Sequence, residues 1–205
     1  VNIAVFVSGR GSNLQAILDA EYLKGIINVA AIFSDKEECR AFSIAEKFRI
    51  PVFTIGKGAS DINYEEAAEF MEKQKVELVV LAGYLKLLPV FFVEKYTGRI
   101  INIHPALLPK FGGKGMYGMN VHKAVFNSHS SVSGPTVHFV DASYDTGRII
   151  AQKEIDITSA SSPEEIAELV LKEEHKLLPF VIWKFALGEI KDNKIIIENS
   201  LKDKP

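Results

Sequence analysis

The sequence predicts an α/β fold in which a mostly parallel sheet is covered by helices. Three observations carry that expectation. Short apolar runs of strand length recur along the first hundred residues. Segments with apolar residues at helical spacing lie between them. The runs are apolar at every position rather than at alternate ones, as strands buried on both faces must be.

Ile3-Ala4-Val5-Phe6-Val7 is the first such run, and Ser8-Gly9-Arg10-Gly11-Ser12-Asn13 follows it at once. Ser12 is placed to cap a helix beginning near Asn13, whose apolar face is Leu14, Ile17 and Leu18. Val29-Ala30-Ala31-Ile32-Phe33 is a second strand, residues 37–48 read as a helix, and Pro51-Val52-Phe53 as a short third strand. Ala67, Phe70 and Met71 mark another helix, and Leu78-Val79-Val80-Leu81-Ala82 and Ile100-Ile101-Asn102-Ile103 are the fourth and fifth strands. The pattern then changes. Residues 132–140 and 147–157 both read as strands with no helix-length spacer, so they are expected to pair antiparallel or to bend around one another at the far side of the sheet. Pro163 opens a long helix marked by Ile166, Leu169, Val170, Leu177 and Val181, and residues 191–194 read as the turn of a terminal hairpin. No repeat or linker interrupts the chain, which is expected to be one domain spanning 1–205.

Composition bounds the function. Of 205 residues, 47% are hydrophobic, enough for a substantial core. Lys plus Arg number 24 against 26 Asp plus Glu, a formal charge of -2 that offers no basic patch for nucleic acid. The single cysteine, Cys39, excludes an internal disulfide and fits a reducing compartment. No apolar run has membrane-spanning length and no secretory leader precedes the first strand, so a soluble cytoplasmic protein is expected.

The chemistry concentrates in Asn102-Ile103-His104-Pro105-Ala106-Leu107-Leu108-Pro109. In an extended strand, positions i and i+2 face the same side, so Asn102 and His104 can reach one reacting atom together. His104 can donate to a developing negative charge or exchange a proton near neutral pH, while the Asn102 amide orients a carbonyl or an amine. Pro105 and Pro109 stiffen the loop that follows; the same residues also suit a purely structural turn. The loop after the first strand places backbone amides at a helix N-terminus, which suits a phosphate. It matches neither the dinucleotide fingerprint nor the lysine-containing nucleotide loop, and a turn that binds nothing stays open. Asp141-Ala142-Ser143-Tyr144-Asp145-Thr146-Gly147 is a second polar cluster. An aspartate from it, held near His104, would favour the charged imidazole, although an ordinary turn has the same composition. His122, His129 and His138 lack the spacing of a metal site, and no nucleophile elbow accompanies Ser8 or Ser12. The glycine-rich loop at 112–118, with Lys114, either closes over an anion or simply connects elements.

Taken together in order, Ser8-Gly9-Arg10-Gly11-Ser12-Asn13-Leu14, Leu81-Ala82-Gly83-Tyr84, Asn102-Ile103-His104-Pro105, Ser133-Gly134-Pro135-Thr136-Val137-His138-Phe139, Asp145-Thr146-Gly147 and Glu174-His175 closely resemble the folate-dependent phosphoribosylglycinamide formyltransferase family over nearly the whole chain. The resemblance implies a Rossmann-like three-layer domain with a mostly parallel seven-stranded sheet. Residues 1–100 would form the phosphoribosyl-binding half and 101–205 the catalytic and folate-binding half. It implies transfer of the formyl group of 10-formyltetrahydrofolate to the amine of 5-phosphoribosylglycinamide in purine synthesis, without a metal. By the same resemblance Asn102, His104 and Asp145 are catalytic. Gly11, Ser12, Asn13, Lys172 and Glu174 hold the phosphoribosyl substrate, and Lys86, Leu88, Val140, Asp141 and Tyr144 line the folate pocket. Two departures stand out. Lys86 replaces the arginine of many members and loses its planar fork. Leu171 occupies a position that is basic in some, with Lys172 beside it to reach the phosphate instead. The implied partners are these two small molecules, with neither nucleic acid nor membrane, in a monomer or homodimer. A first strand starting at Asn2 argues against formyltetrahydrofolate hydrolase, which carries an extra N-terminal domain. The chain length argues against methionyl-tRNA formyltransferase, which carries a C-terminal RNA-binding one.

Overall fold

The structure, a computed structural model, describes residues 1–190 together with Ile196 and Ile197. The chain divides into two compact units, Val1–Asn102 and Ile103–Pro205.

In the first unit the expected alternation is realised: β1 (Asn2–Val7), α1 (Ser12–Asp19), β2 (Asn28–Ser34), α2 (Arg40–Lys47), β3 (Val52–Thr54), α3 (Tyr64–Lys73), β4 (Leu78–Leu81), α4 (Val90–Lys95) and the start of β5 (Ile100–His104). The strands lie in the order β3-β2-β1-β4-β5, and every pair is parallel. Parallel strands need crossovers, and the intervening helices provide them. Burial follows the sequence pattern: residues 3–7 and 78–80 are fully shielded. Phe6 stacks on Phe33 at 4.8 Å, and Phe33 stacks on Phe53 at 5.4 Å, so aromatic rings tie three neighbouring strands together. Burying rings of this size contributes roughly 1.5–3 kcal/mol each.

Local capping explains where elements begin. Asn63 accepts from the Glu66 amide while the Glu66 carboxylate accepts from the Asn63 amide, both at 2.8 Å, which starts α3 with a capping box. Ser12, by contrast, is not a cap. The N-cap of α1 is Gly11, left-handed at φ 77, and Ser12 is already helical. A Cβ on Gly11 would meet Cβ of Ala41 at 2.8 Å, so only glycine lets α1 start this close to α2. The helix expected over 37–48 begins only at Arg40, because Cys39 is extended and its buried thiol donates to the Gly9 carbonyl at 3.2 Å. α4 was not legible, since its Val-Phe-Phe run has no helical spacing.

The second unit contains α5 (Met119–Asn127), β6 (Val132–Ser133), β7 (Thr136–Phe139), β8 (Ile149–Gln152), β9 (Ile155–Asp156), α6 (Pro163–Ala186) and β10 (Ile196–Ile197). The two expected antiparallel segments are present, but each is broken in two. β7 pairs antiparallel with β8 and β6 with β9, while β10 runs parallel to β8. The break lies at Gly134-Pro135, where a Cβ on Gly134 would sit 1.7 Å from the Lys153 carbonyl oxygen and Pro135 has no N–H to offer a ladder. α6 starts as expected: Pro163 occupies its first turn and Ser162 accepts from the Glu165 amide at 3.2 Å. Ala106, Val121, Val125, Ile157, Ile166 and Val170 form a buried core cluster in this unit. The hairpin turn expected at 191–194 lies outside the described residues.

Candidate active site

In the first unit the strand order reverses between β1 and β4, since β2 and β3 lie to one side and β5 to the other. In open parallel sheets, ligands bind outside the carboxyl ends of strands at such a switch point. The two loops that leave β1 and β4 are stitched together there. The Ser8 amide donates to the Gly83 carbonyl at 3.1 Å, and Ser8 Oγ accepts from the Leu85 amide at 2.9 Å. This explains the Ser8 and Gly83 of the sequence motifs. Gly11 is the N-cap of α1 and Ser12 and Asn13 begin its first turn, at the positive end of a helix dipole that favours an anion. In the β4 loop Lys86 is exposed and Leu88 is 4% exposed. Tyr84 shares a 2.8 Å hydroxyl–hydroxyl bond with Tyr64, and burial raises the pKa of both phenols.

β5 carries both Asn102 and His104, with Ile103 buried at 5% between them. In the second unit His104, itself 3% exposed, meets Asp145: Nδ1 lies 3.5 Å from Oδ2. The other ring nitrogen, Nε2, donates to the carbonyl of Phe111 at 2.8 Å. A carbonyl can only accept, so Nε2 carries a proton and a neutral ring turns its lone pair toward the carboxylate. Protonation converts that contact into a charge-assisted one. Burial lowers the pKa of His104, and the Asp145 charge and the Phe111 carbonyl push back upward. Asp145 is held below the ordinary carboxylate range. Burial opposes its charge, but the His138 ring, His104 and the Gly113 amide together outweigh it.

Backbone shape brings these groups together. Asp145 is left-handed at φ 56, a conformation aspartate tolerates, and the loop before it is organised by Asp141, whose Oδ1 accepts from the Ser143 amide at 3.0 Å and the Thr146 hydroxyl at 2.7 Å. Phe111 is also left-handed at φ 56, which for a bulky side chain is a strained state that aims its carbonyl at His104. Gly113 donates its amide to Asp145 Oδ2 at 2.9 Å. The glycine-rich loop is thus pinned at both ends of the His104–Asp145 pair. Thr136 braces the segment after His104: its hydroxyl donates to the Ala106 carbonyl at 2.6 Å and accepts from the Leu108 amide at 3.1 Å.

The remaining expected residues fall as follows. Val140 and Asp141 are half-buried and Tyr144 is 40% exposed, all in the loop leading to Asp145. On α6, Lys172 is exposed whereas Glu174 is 8% exposed, so two residues apart they occupy different faces of the helix. The sequence allows His138 to share a face with Val140 or with an active site but gives it no role; it is 2% exposed with Nε2 3.6 Å from Asp145 Oδ1. Its place in an alternating strand just before the polar cluster was the available signal. His122, on α5, was also left unassigned; its pKa is lowered to about 4 by burial and then by the nearby His104. Among the described residues no group of His, Cys, Asp and Glu side chains is arranged to hold a metal, and no helix is long and apolar enough to cross a membrane.

Comparison with known proteins matches residues 1–182 to the family model described as formyl transferase. A phosphoribosylglycinamide formyltransferase of Arabidopsis thaliana, described as chloroplastic, is 43% identical over 96% of this chain and 70% of its own length. The phosphoribosylglycinamide formyltransferase of Escherichia coli is 35% identical over 93% of this chain and 90% of its own. Among solved structures, glycinamide ribonucleotide transformylase 1 from Symbiobacterium toebii superimposes with a TM-score of 0.84 at 32% identity, covering 95% of this chain and 92% of that one. The α/β fold with its mostly parallel sheet agrees with that structure.

Proposed function

The chain belongs to the formyl transferase family, and from that membership we propose that it transfers the formyl group of 10-formyltetrahydrofolate to the primary amine of 5-phosphoribosylglycinamide, a step of purine synthesis. The observation that carries the mechanistic reading is the buried pair of His104 and Asp145, 3.5 Å apart, at the end of the strand that also bears Asn102. The unprotonated amine attacks the formyl carbon and an oxyanion develops on the formyl oxygen. The Asn102 amide and the His104 N–H donate to that oxygen, a type of stabilisation worth about 3–4 kcal/mol per donor. The C–N bond to the folate then breaks. The proton lost by the attacking amine passes to the departing folate nitrogen, with Asp145 holding His104 and ordering the water between them. The products are the N-formylated ribonucleotide and tetrahydrofolate. For Nε2 of His104 to serve the formyl oxygen, it exchanges the Phe111 carbonyl for substrate, and the glycines at 112, 113, 115 and 118 give that loop the freedom to yield.

The other assignments rest on the resemblance and on local geometry. Gly11, Ser12 and Asn13 offer the amide-rich start of α1 to the phosphate, with Lys172 and Glu174 for the phosphoribosyl group. Lys86, Leu88, Val140, Asp141 and Tyr144 take the folate. The chain works as a monomer or homodimer without a metal. Its single buried thiol is consistent with a reducing compartment such as the cytoplasm. The test is to incubate the protein with 10-formyltetrahydrofolate, with and without phosphoribosylglycinamide, and to follow tetrahydrofolate and the formylated product. Tetrahydrofolate released only with the amine, in equal amount to the product, is the expected result. Release without the amine would instead indicate hydrolysis, and no release in either case would overturn the reading.

A further inference from the structure

Resting on the roles given to His104 and Asp145, we propose that His138 is a positioning residue for formyl transfer, holding the Asp145 carboxylate in the rotation that turns Oδ2 toward His104. His138 lies on β7, where the ladder with β8 shifts register between Val137 and His138. Its Nδ1 donates to the Phe139 carbonyl at 2.8 Å, which fixes the ring plane, and Nε2 faces Asp145 Oδ1 at 3.6 Å, where it holds the carboxylate as the second N–H of the imidazolium form. The carbonyl that anchors the ring is itself held in place. Gly147 passes so close that a Cβ there would lie 1.7 Å from the Phe139 oxygen, and the Phe139 amide donates to Arg148 at 2.9 Å.

The carboxylate has three neighbours that set its rotation, and they do not act alike. His104 and the Gly113 amide both address Oδ2, whereas His138 addresses Oδ1. Gly113 belongs to the glycine-rich loop that also supplies the Phe111 carbonyl to His104. When that loop yields to substrate, the Gly113 amide leaves Asp145 at the step where the carboxylate is needed. His138 sits on a strand and does not move with the loop. It therefore keeps Asp145 aimed at His104 through the reaction. The titratable groups bearing on His104 are Asp145 from the turn, His138 from β7 and His122 from α5. Asp145 favours the proton on His104 and the charged form of His138 opposes it.

The test compares His138→Gln with His138→Ala. Both remove the imidazole and any charge on it, but the glutamine amide can still donate to Oδ1. His138→Ala should lower kcat about ten- to a hundred-fold, as a mis-set reacting group does, with both KM values within about two-fold. His138→Gln should stay within about three-fold of the parent in kcat. The His104 ring, followed by NMR, should take up its proton at a lower pH in the alanine variant than in the glutamine variant, because a released carboxylate supports the imidazolium less. If His138→Ala does not fold, His138→Asn, whose shorter amide falls short of Oδ1, takes its place in the comparison. Equal kcat and equal His104 titration in the two variants would overturn the inference. His104→Ala and Asp145→Asn measured in parallel separate the two levels. If they leave kcat intact, the catalytic reading itself fails; if they abolish turnover while the His138 variants match the parent, only the role of His138 fails.

Discussion

The carboxylate of Asp145 lies 3.5 Å from Nδ1 of His104, and the two side chains are 11% and 3% exposed. At that depth each depends on the other. The carboxylate is held ionised below its ordinary range, and its charge offsets part of the burial that lowers the pKa of the imidazole. The result is a ring that sheds its proton more readily than an exposed histidine and gains a charged partner when it accepts one.

Replacing Asp145 with Asn removes the charge and keeps the shape. Turnover should fall by about 10²–10⁴-fold, and NMR should show His104 titrating further below the ordinary histidine value. His104→Ala should reduce kcat far more than it weakens binding of the ribonucleotide, measured by calorimetry. Comparable losses in both would make His104 structural.

Gly147→Ala should destabilise the fold by about 3 kcal/mol or more, beyond ordinary overpacking, because the added methyl group would lie 1.7 Å from the Phe139 oxygen. A shift in the urea midpoint at unchanged slope is the measurement. The effect should extend to activity, since Phe139 anchors His138, the neighbour of Asp145.

His122 makes stability depend on pH. In the unfolded chain it takes a proton near pH 6.5, but in the fold only near pH 4, because burial and then His104 oppose its charge. Between these values the unfolded state binds more protons, so stability present at pH 7 falls as pH drops from 6.5 toward 4 and then levels. The full loss is on the order of 3 kcal/mol. Denaturant melts across that window should show it, and His122→Leu should flatten the slope without a matching change at pH 7. His122 Nδ1 is buried with no hydrogen-bond partner, so its removal leaves no bond broken at that atom.

Thr136→Val keeps the volume and removes the hydroxyl that bonds Ala106, Leu108 and Gln152. Leaving those buried groups short of a partner should cost about 1–3 kcal/mol. The segment following His104 should exchange its amide hydrogens faster, as hydrogen-exchange mass spectrometry would report.

The α/β class, the parallel run from β1 to β5, the antiparallel pairing after residue 132 and the start of α6 at Pro163 were legible from the sequence, because each rests on a local pattern of apolar spacing or capping. So was the pairing of Asn102 with His104 on one strand, which needs only the two-residue period of an extended chain. Elements whose limits depend on neighbours were not. α2 starts late because the Cys39 thiol is drawn to Gly9, and the strand expected over 132–140 breaks where Gly134 passes the Lys153 carbonyl. Resemblance supplied Asp145 as the partner of His104, but the contact itself, the second imidazole at His138 and the carbonyl of Phe111 on Nε2 were decided by the tertiary structure. They depend on strand register and on two residues held at positive φ, Phe111 and Asp145, and neither leaves a periodic trace in the order of residues.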